Sequence, residues 1–421
     1  MEKTKVTIVC TTYNHVAYIK EALDSFLMQK TNFNYNIFIF DDASTDGTSD
    51  IVREYQKKYP NIIYAYISPV NTYGKVGRKK LISDLWEEYL TGEYIAMCEG
   101  DDAWTCEDKL QIQVDFLDKN ADCIMTTHAF KWIDCLKNEV ESKHLCSENR
   151  YMLPEEVILR LPCPMAMASL VMRREVFFGR MNEALECDVG DVPMQFYAIY
   201  HGRIYYFDKE MSLYRSMHEG SWNRTQADDP EKHTHHCLGF IDFLIKYNAY
   251  TKGLFERFVW KQMLAYLHEI VGLLCKVNDA ETFIKSFPEK NNHAYDPFLE
   301  EIIPVYNWMS GRYEMDSQTR EMMSQYEHIC IMGKGNYSKF IISGLEKNGV
   351  KYDGYLLSKK EEDCKDSNVW DVSDFPYNKE TTLVIVGINQ GQEEIIAGTL
   401  KKHDFKNVWC PLWFNKENIW K

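Results

Sequence analysis

Short apolar runs and helically spaced apolar residues alternate along the N-terminal quarter of the chain. Residues 6–10 form an apolar run of strand length, and the polar stretch Thr11-Thr12-Tyr13-Asn14 follows it. Ile19, Leu23, Phe26 and Leu27 then recur at helical spacing. Residues 35–40 make a second strand that ends in Asp41 and Asp42. Ser44-Thr45-Asp46-Gly47 turns the chain, and Thr48 is placed to cap a helix carrying Ile51, Val52 and Tyr55. A third strand at 62–67, a helix with Leu81, Ile82, Leu85, Trp86 and Tyr89, and a fourth strand at 94–98 complete the series. Strand and helix alternate four times, which predicts an α/β fold with a doubly wound, mostly parallel sheet.

Beyond Trp104 the pattern changes twice. Leu110, Val114 and Leu117 mark one more helix, whereas residues 123–208 are less regular and contain the breaker cluster Leu161-Pro162-Cys163-Pro164. From about 240 to 323 the apolar residues fall at helical spacings with few Gly or Pro. From His328 strands return, at 329–332, 352–357 and 383–386, with helices ending near 348 and covering 394–401. The expected organisation is an α/β domain over 1–235, a helical connector over 236–325 and a small Rossmann-like α/β domain over 326–421.

Composition narrows the class. With 421 residues, 45% of them hydrophobic and 26% charged, the chain is an ordinary globular protein with room for two or three domains. A net charge of −15 opposes binding to nucleic acid or to an anionic membrane overall, though a local basic patch still allows peripheral membrane contact. Thirteen cysteines are scattered singly with no CxxC pair, as in a cytosolic protein with reduced thiols. Met1-Glu2-Lys3-Thr4-Lys5 leads straight into a strand with no signal-peptide pattern, and the longest apolar stretch, 165–172, is far too short for a membrane span. The expectation is a soluble, cytoplasmic protein.

Candidate chemistry gathers at strand ends. The fourth strand stops in Glu99-Gly100-Asp101-Asp102, three carboxylates around one glycine. Acids packed that closely repel one another, and a hard divalent cation such as Mg²⁺ or Mn²⁺ relieves them; a solvated acidic turn is the alternative. Thr11, Tyr13, Asp42 and Asp102 all fall at carboxyl ends of strands, where ligands of open α/β sheets sit. His233-Thr234-His235-His236-Cys237 is also metal-like in composition, but its spacing matches no zinc motif and reads as a solvated helix start.

Three stretches, Thr11-Thr12-Tyr13-Asn14, 41–48 and Glu99-Gly100-Asp101-Asp102-Ala103-Trp104, together resemble the family-2 glycosyltransferases of bacterial polysaccharide synthesis, which have the GT-A fold. The resemblance runs from about 6 to 222 and continues in Lys109-Leu110-Gln111, Gly190-Asp191 and the stretch from Tyr214 to Trp222. It implies an inverting, metal-dependent transfer from a nucleoside-diphosphate sugar, with a UDP-sugar foremost. The acceptor it implies is a saccharide or lipid-linked saccharide. By the same resemblance Asp42 accepts the imide N–H of the base, which Thr11 and Tyr13 line, and Arg78 approaches the nucleotide. Asp102 and His218 ligate Mn²⁺ or Mg²⁺, Asp101 contacts the ribose or the cation's water, and Asp191 is the catalytic base.

Alternatives stand beside several of these roles. Asp42 could cap its turn, a job also open to Asp46 or Ser44, and Arg78 could belong to a solvated basic run with Lys79 and Lys80. Asp191 could cap a helix before Pro193, with Asp188 and Glu186 as competing acids. Glu99 departs from the aspartate commoner in the family. A sugar-phosphate nucleotidyltransferase would need a Gly-rich, Arg-containing loop after the first strand, which Thr11-Thr12-Tyr13-Asn14 is not. The remaining rival is a non-catalytic sugar-nucleotide sensor. Nothing in the sequence speaks to oligomeric state.

In the C-terminal region, Gly333-Lys334-Gly335-Asn336-Tyr337-Ser338 follows a strand and opens a helix, the context of a dinucleotide fingerprint. Ser338 replaces the third glycine, and Ser358-Lys359-Lys360 stands where a ribose-binding acid belongs, so NAD binding is not expected. The module reads as structural or partner-binding, with an unidentified nucleotide or sugar ligand as the alternative.

Overall fold

The computed structural model describes residues 4–73, 78–179, 185, 187, 189–275, 280, 282, 284–285, 296–310, 314–334, 336–358, 367–387 and 393–411. The chain divides into two compact units, Met1–Asp229 with Asp242–Val259 and Pro230–Ile241 with Trp260–Lys421.

The first unit is built on a ten-stranded sheet. Its strands are β1 (Val6–Thr12), β2 (Tyr35–Asp41), β3 (Ile63–Ile67), β4 (Tyr94–Met97), β5 (Ala103–Trp104), β6 (Cys123–Asp134), β7 (Glu139–Lys143), β8 (Arg150–Tyr151), β9 (Val171–Arg173) and β10 (Arg203–Ser216). The main path runs β3-β2-β1-β4-β9-β6-β10-β5, with β7 on β6 and β8 on β10. From β3 to β4 every pair is parallel. The central strands β1 and β2 are buried along nearly their whole length, as expected of strands covered on both faces.

The helices linking these strands are α1 (Ile19–Leu27), α2 (Thr48–Lys58) and α3 (Arg78–Tyr89). Ile19, Ala22, Leu23 and Phe26 of α1 and Val52 of α2 join Ile8, Ile37 and Ala96 in one core. That order puts a switch point between β1 and β4, because the chain runs outward from β1 to β2 and β3 and then crosses back to place β4 on the other side of β1. Ligands of open α/β sheets bind at such a point, beyond the carboxyl ends of the strands.

Past β4 the sheet turns mixed: β9 is antiparallel to β4 and β6, β10 is parallel to β6, and β5 is antiparallel to β10. The helices of this half are α4 (Lys109–Lys119), α5 (Pro154–Ile158), α6 (Arg174–Gly179), α7 (Val192–His201) and α8 (Trp222–Asp228). The region 123–208, which reads as irregular in the sequence, holds the twelve-residue β6 and the start of the fourteen-residue β10. The polar run Asp208-Lys209-Glu210 hides β10, since the register to β6 shifts between Phe207 and Ser212 and breaks the alternation there.

The second unit takes in the first part of α9 (Pro230–Tyr250) and the later part of α10 (Glu256–Leu274). It continues through α11 (Asp296–Met309), α12 (Ser317–Ser324), α13 (Asn336–Lys347) and α14 (Glu393–Lys402). Its five strands, β11 (His328–Met332), β12 (Gly354–Leu357), β13 (Val369–Asp371), β14 (Thr382–Val386) and β15 (Val408–Trp409), form an all-parallel sheet in the order β13-β12-β11-β14-β15. Met332, Leu356, Val384, Val386, Leu400 and Phe405 form a core in it. Among the described helices none is long and apolar enough to cross a membrane.

Candidate active site

The end of β2 delivers two acids with different tasks. Asp41 is fully buried; its Oδ1 accepts the Ser44 N–H (3.0 Å) and the Ser44 hydroxyl (2.6 Å), and its Oδ2 accepts the Ser49 hydroxyl. Asp42 is 5% exposed, and its Oδ1 accepts the Thr72 N–H at 2.8 Å and the Thr72 hydroxyl at 2.7 Å. The turn cap belongs to Asp46, which accepts the Val16 N–H (2.9 Å), the Thr48 N–H (3.0 Å) and the Thr48 hydroxyl (2.7 Å). Thr48 is therefore the first helical residue and not the cap. Gly47 stands before it at φ 107°, a conformation open to glycine at no steric cost.

The loop after β1 is tied to this turn. Ser44 Oγ accepts the Asn14 N–H, and Asn14 Oδ1 accepts the Thr45 N–H. Asn14 and Ala43 both take positive φ, at 56° and 64°, strain of the kind that tolerates only a well-held loop. Thr11 is half-buried and Tyr13 is 45% exposed beside it. Arg78 opens α3, but its side chain lies outside the described residues.

The end of β4 is packed onto the end of β1. The Gly100 N–H donates to the Thr11 carbonyl at 2.9 Å, and a Cβ at Gly100 would sit 2.5 Å from Thr12 Oγ1. Only glycine lets the acidic turn lie so close to β1. Asp102 is 1% exposed; Oδ1 accepts the Arg215 N–H at 2.8 Å, and Oδ2 has no hydrogen-bond partner. Burial first, and then the charges of Asp101 and Glu99, push its carboxyl well above the usual range. Glu99 is pushed up to about 8 by burial and by the charges of Asp101 and Asp191.

Asp101 stays charged. Burial works against it, but the hydrogen bond from His218 and the charges of His15 and His218 bring its carboxyl below the usual value. His218 Nε2 lies 2.9 Å from Asp101 Oδ2, and His15 Nδ1 lies 3.7 Å from Asp101 Oδ1. His218 Nδ1 donates to the Glu219 carbonyl at 3.0 Å. Nε2 is then left to the carboxylate, and that hydrogen bond raises the imidazole above its ordinary value. His218 thus pairs with Asp101 and not with Asp102, the acid expected to share a cation with it. A buried carboxylate oxygen without a partner, two further acids and an imidazole supply donor types that suit Mn²⁺, and less closely Mg²⁺.

Asp191 stands before α7, with Pro193 in its first turn and no capping bond from its side chain. The Gln195 amide donates to its Oδ2 at 3.4 Å. It is half-buried, and its charge reaches Glu99 and Tyr214, raising both. The helix-cap alternative is therefore not what the side chain does. Asp188 and Glu186 lie outside the described residues.

Residues 7–178 match the family model described as glycosyl transferase family 2. The domain belongs to that family. An uncharacterized protein of Mycobacterium tuberculosis is 30% identical over 229 residues, 53% of this chain and 62% of that protein. The dTDP-rhamnosyl transferase RfbG of Shigella flexneri is 28% identical over 234 residues, 55% of this chain and 78% of that protein. The putative teichuronic acid biosynthesis glycosyltransferase TuaG of Bacillus subtilis is 34% identical over 115 residues, 27% of this chain and 42% of that protein. The chain thus spans 62% of the length of the first of these relatives. Among solved structures, S. aureus TarS 1-349 in complex with UDP-GlcNAc aligns with a TM-score of 0.48 at 15% identity, covering 82% of this chain and 89% of that one.

The structure adds residues to the candidate site that sequence reading did not single out. His15 directly follows the Thr11–Asn14 stretch yet reaches the acid motif of another strand. Arg215 donates its N–H to Asp102, one guanidinium nitrogen to the Asp101 carbonyl (2.7 Å) and another to Glu21 (2.6 Å). Thr72 holds Asp42 from a loop with no motif of its own. Arg215 lies inside a stretch already quoted and His15 directly after one, so the signal was adjacent. Thr72 gave none.

Proposed function

We propose that this protein transfers a sugar, with inversion, from a nucleoside-diphosphate sugar to a saccharide or lipid-linked saccharide acceptor, in the making of a cell-surface polysaccharide. The observation that supports this best is the meeting of Glu99, Asp101, Asp102 and His218, one buried carboxylate oxygen of which has no partner, at the switch point of the sheet. Asp102, Asp101 and His218 would hold Mn²⁺ or Mg²⁺, with Glu99 beside them; when bound, the cation supplies positive charge to the departing diphosphate.

The chain's own residues do the rest in this reading. Asp42, fixed through Oδ1 by Thr72, faces the imide edge of a pyrimidine base, and Thr11 and Tyr13 line that base. Arg78 approaches the nucleotide. Asp191 accepts the proton of the acceptor hydroxyl as that oxygen attacks the anomeric carbon opposite the leaving group. Uracil and thymine carry the same imide, so a UDP-sugar is the first donor to test. The name of the RfbG relative brings a dTDP-sugar in as the second.

A cytoplasmic location with peripheral contact at the inner membrane face belongs to the same proposal. So does the division of the chain into a transferase part over 1–235, a helical connector over 236–325 and a C-terminal module over 326–421 that serves structure or a partner.

The test is a thermal-shift screen of the full chain with Mn²⁺ against UDP-, dTDP- and GDP-sugars, followed by donor hydrolysis. A bound donor at about 100 times its Kd stabilises the fold by about 2.7 kcal/mol. A shift and slow hydrolysis with a uridine or thymidine donor are expected. A response confined to guanosine donors would overturn the base assignment. A donor that binds without any turnover would leave a sugar-nucleotide sensor and overturn the enzyme.

A further inference from the structure

The stretch from His233 to Cys237 reads in the sequence as a solvated helix start. In the structure it is not one. His233 and Cys237 are four residues apart on α9, so their side chains lie on one face of the helix. Cys237 is fully buried, and the His233 side chain is 23% exposed. The face they share meets α10. The Phe240 and Tyr266 rings pack with centroids 4.6 Å apart along the same seam. One turn away Glu269 of α10 comes to His233, with Nε2 and Oε1 3.0 Å apart. One ligand atom from each of His233, Cys237 and Glu269 lies within 4.8 Å of the others, and all three residues belong to the second unit.

We propose that His233, Cys237 and Glu269 form a zinc site that pins α9 to α10, with water as the fourth ligand. The donor chemistry selects the metal. A thiolate, an imidazole and a carboxylate suit Zn²⁺, whereas Mg²⁺ and Mn²⁺ prefer oxygen. In a tetrahedral zinc site neighbouring ligand atoms are about 3.3–3.7 Å apart; the His233–Glu269 pair, at 3.0 Å, already stands near that separation, and the Cys237 sulfur, within 4.8 Å of both, has at most about 1.5 Å to close. Glu269, 44% exposed, has the freedom to make that adjustment and gives an entry path from solvent. The His233–Glu269 contact already holds two of the ligand atoms together. Zinc binding breaks the Cys237 S–H bond, forms a Zn–S bond and releases that proton, along with any shared by His233 and Glu269, to the buffer. Sequence spacing could not disclose the site, because the third ligand comes from the next helix.

The test uses the full chain, reduced and stripped of metal with EDTA, then titrated with Co²⁺ in excess Mg²⁺ so that the oxygen-rich acid site is filled. One equivalent of Co²⁺ should give a thiolate-to-cobalt charge-transfer band with tetrahedral visible bands, displaced by Zn²⁺ and unaffected by further Mg²⁺. Glu269→Gln, a change at an exposed position, should weaken binding by more than the roughly 10- to 100-fold that loss of an outer-shell partner costs. Cys237→Ser should remove the band. If that variant does not fold, His233→Gln serves in its place and should lower affinity as Glu269→Gln does. Absence of the band in the wild-type chain overturns the site. So does a band whose strength and affinity are unchanged in both Glu269→Gln and His233→Gln, since it would then come from other cysteines.

Discussion

Two strands of one sheet end in paired acids, and the two ends differ in what remains unsatisfied. At the end of β2, both Asp41 oxygens accept hydroxyl or backbone donors from the turn that follows, and Asp42 is held by Thr72. At the end of β4, Asp102 keeps a buried oxygen without a partner, and it and Glu99 are pushed far above their usual values by burial and by the charges of neighbouring acids, Asp101 foremost. The Asp41 arrangement is complete within the protein and positions the loop beside Asp42. The second end is electrostatically incomplete, and a cation or a proton completes it. An aspartate at a strand end is thus architecture as Asp41 and candidate chemistry as Asp102. The count of local donors distinguishes them.

The largest expected effect tests that incompleteness. Donor turnover should drop below detection in EDTA and return with Mn²⁺ or Mg²⁺, and Asp102→Ala should match the chelated enzyme even with Mn²⁺ added. Wild-type turnover persisting after exhaustive dialysis against EDTA would remove the cation from the comparison altogether.

Next in size is the base. Asp191→Asn keeps shape and removes the proton acceptor, so transfer to a saturating acceptor should fall by about 10²- to 10⁴-fold while donor affinity by calorimetry holds. Equal loss of affinity and rate would show that Asp191 organises the donor pocket instead.

A third pair of variants addresses stability. Asp41→Asn replaces a carboxylate that serves three donors with a group able to accept at one atom only, and should cost about 1–3 kcal/mol in urea unfolding. Asp102→Asn removes a charge that burial opposes and should leave the metal-free protein as stable as wild type or more so. A reversed order of the two midpoints would mean that the contrast between the strand ends is misread.

The smallest expected effect concerns the base behind the acid motif. Lys109 is fully buried, its Nζ has no hydrogen-bond partner and lies 4.2 Å from the centre of the Trp104 ring, and burial pulls its ammonium down to about 7. In the unfolded chain the same group titrates near 10.4. Between those values the unfolded state binds more protons, so stability attributable to Lys109 rises with pH from about 7 to 10 and is lost as pH falls. Lys109→Met should flatten that slope and stabilise the protein at pH 7 by about 1–3 kcal/mol. A destabilised Lys109→Met variant with its slope intact would assign Lys109 a structural role at the ring of Trp104.

Much of this molecule was legible in its sequence, and the reason is local. Residues 6–10, 35–40 and 94–98 are apolar because both faces of a central parallel strand are covered, so each run announces its strand without reference to the rest of the chain. The acids of 41–42 and 99–102 directly follow such runs, and the sequence alone therefore puts them at carboxyl ends. What tertiary structure decided depends on partners distant in the chain. β10 is a strand in spite of Asp208-Lys209-Glu210 because β6 pairs with it on both sides of a register shift. Thr72 holds Asp42 through Oδ1, His218 pairs with Asp101 and not with Asp102, and Arg215 braces both acids from another strand. Glu269 turns a histidine and a cysteine one helical turn apart into a three-ligand cluster. A pattern in sequence records how each residue meets its covering layer. Whether a buried polar atom is satisfied depends on which distant donor folds against it, and no local pattern carries that information.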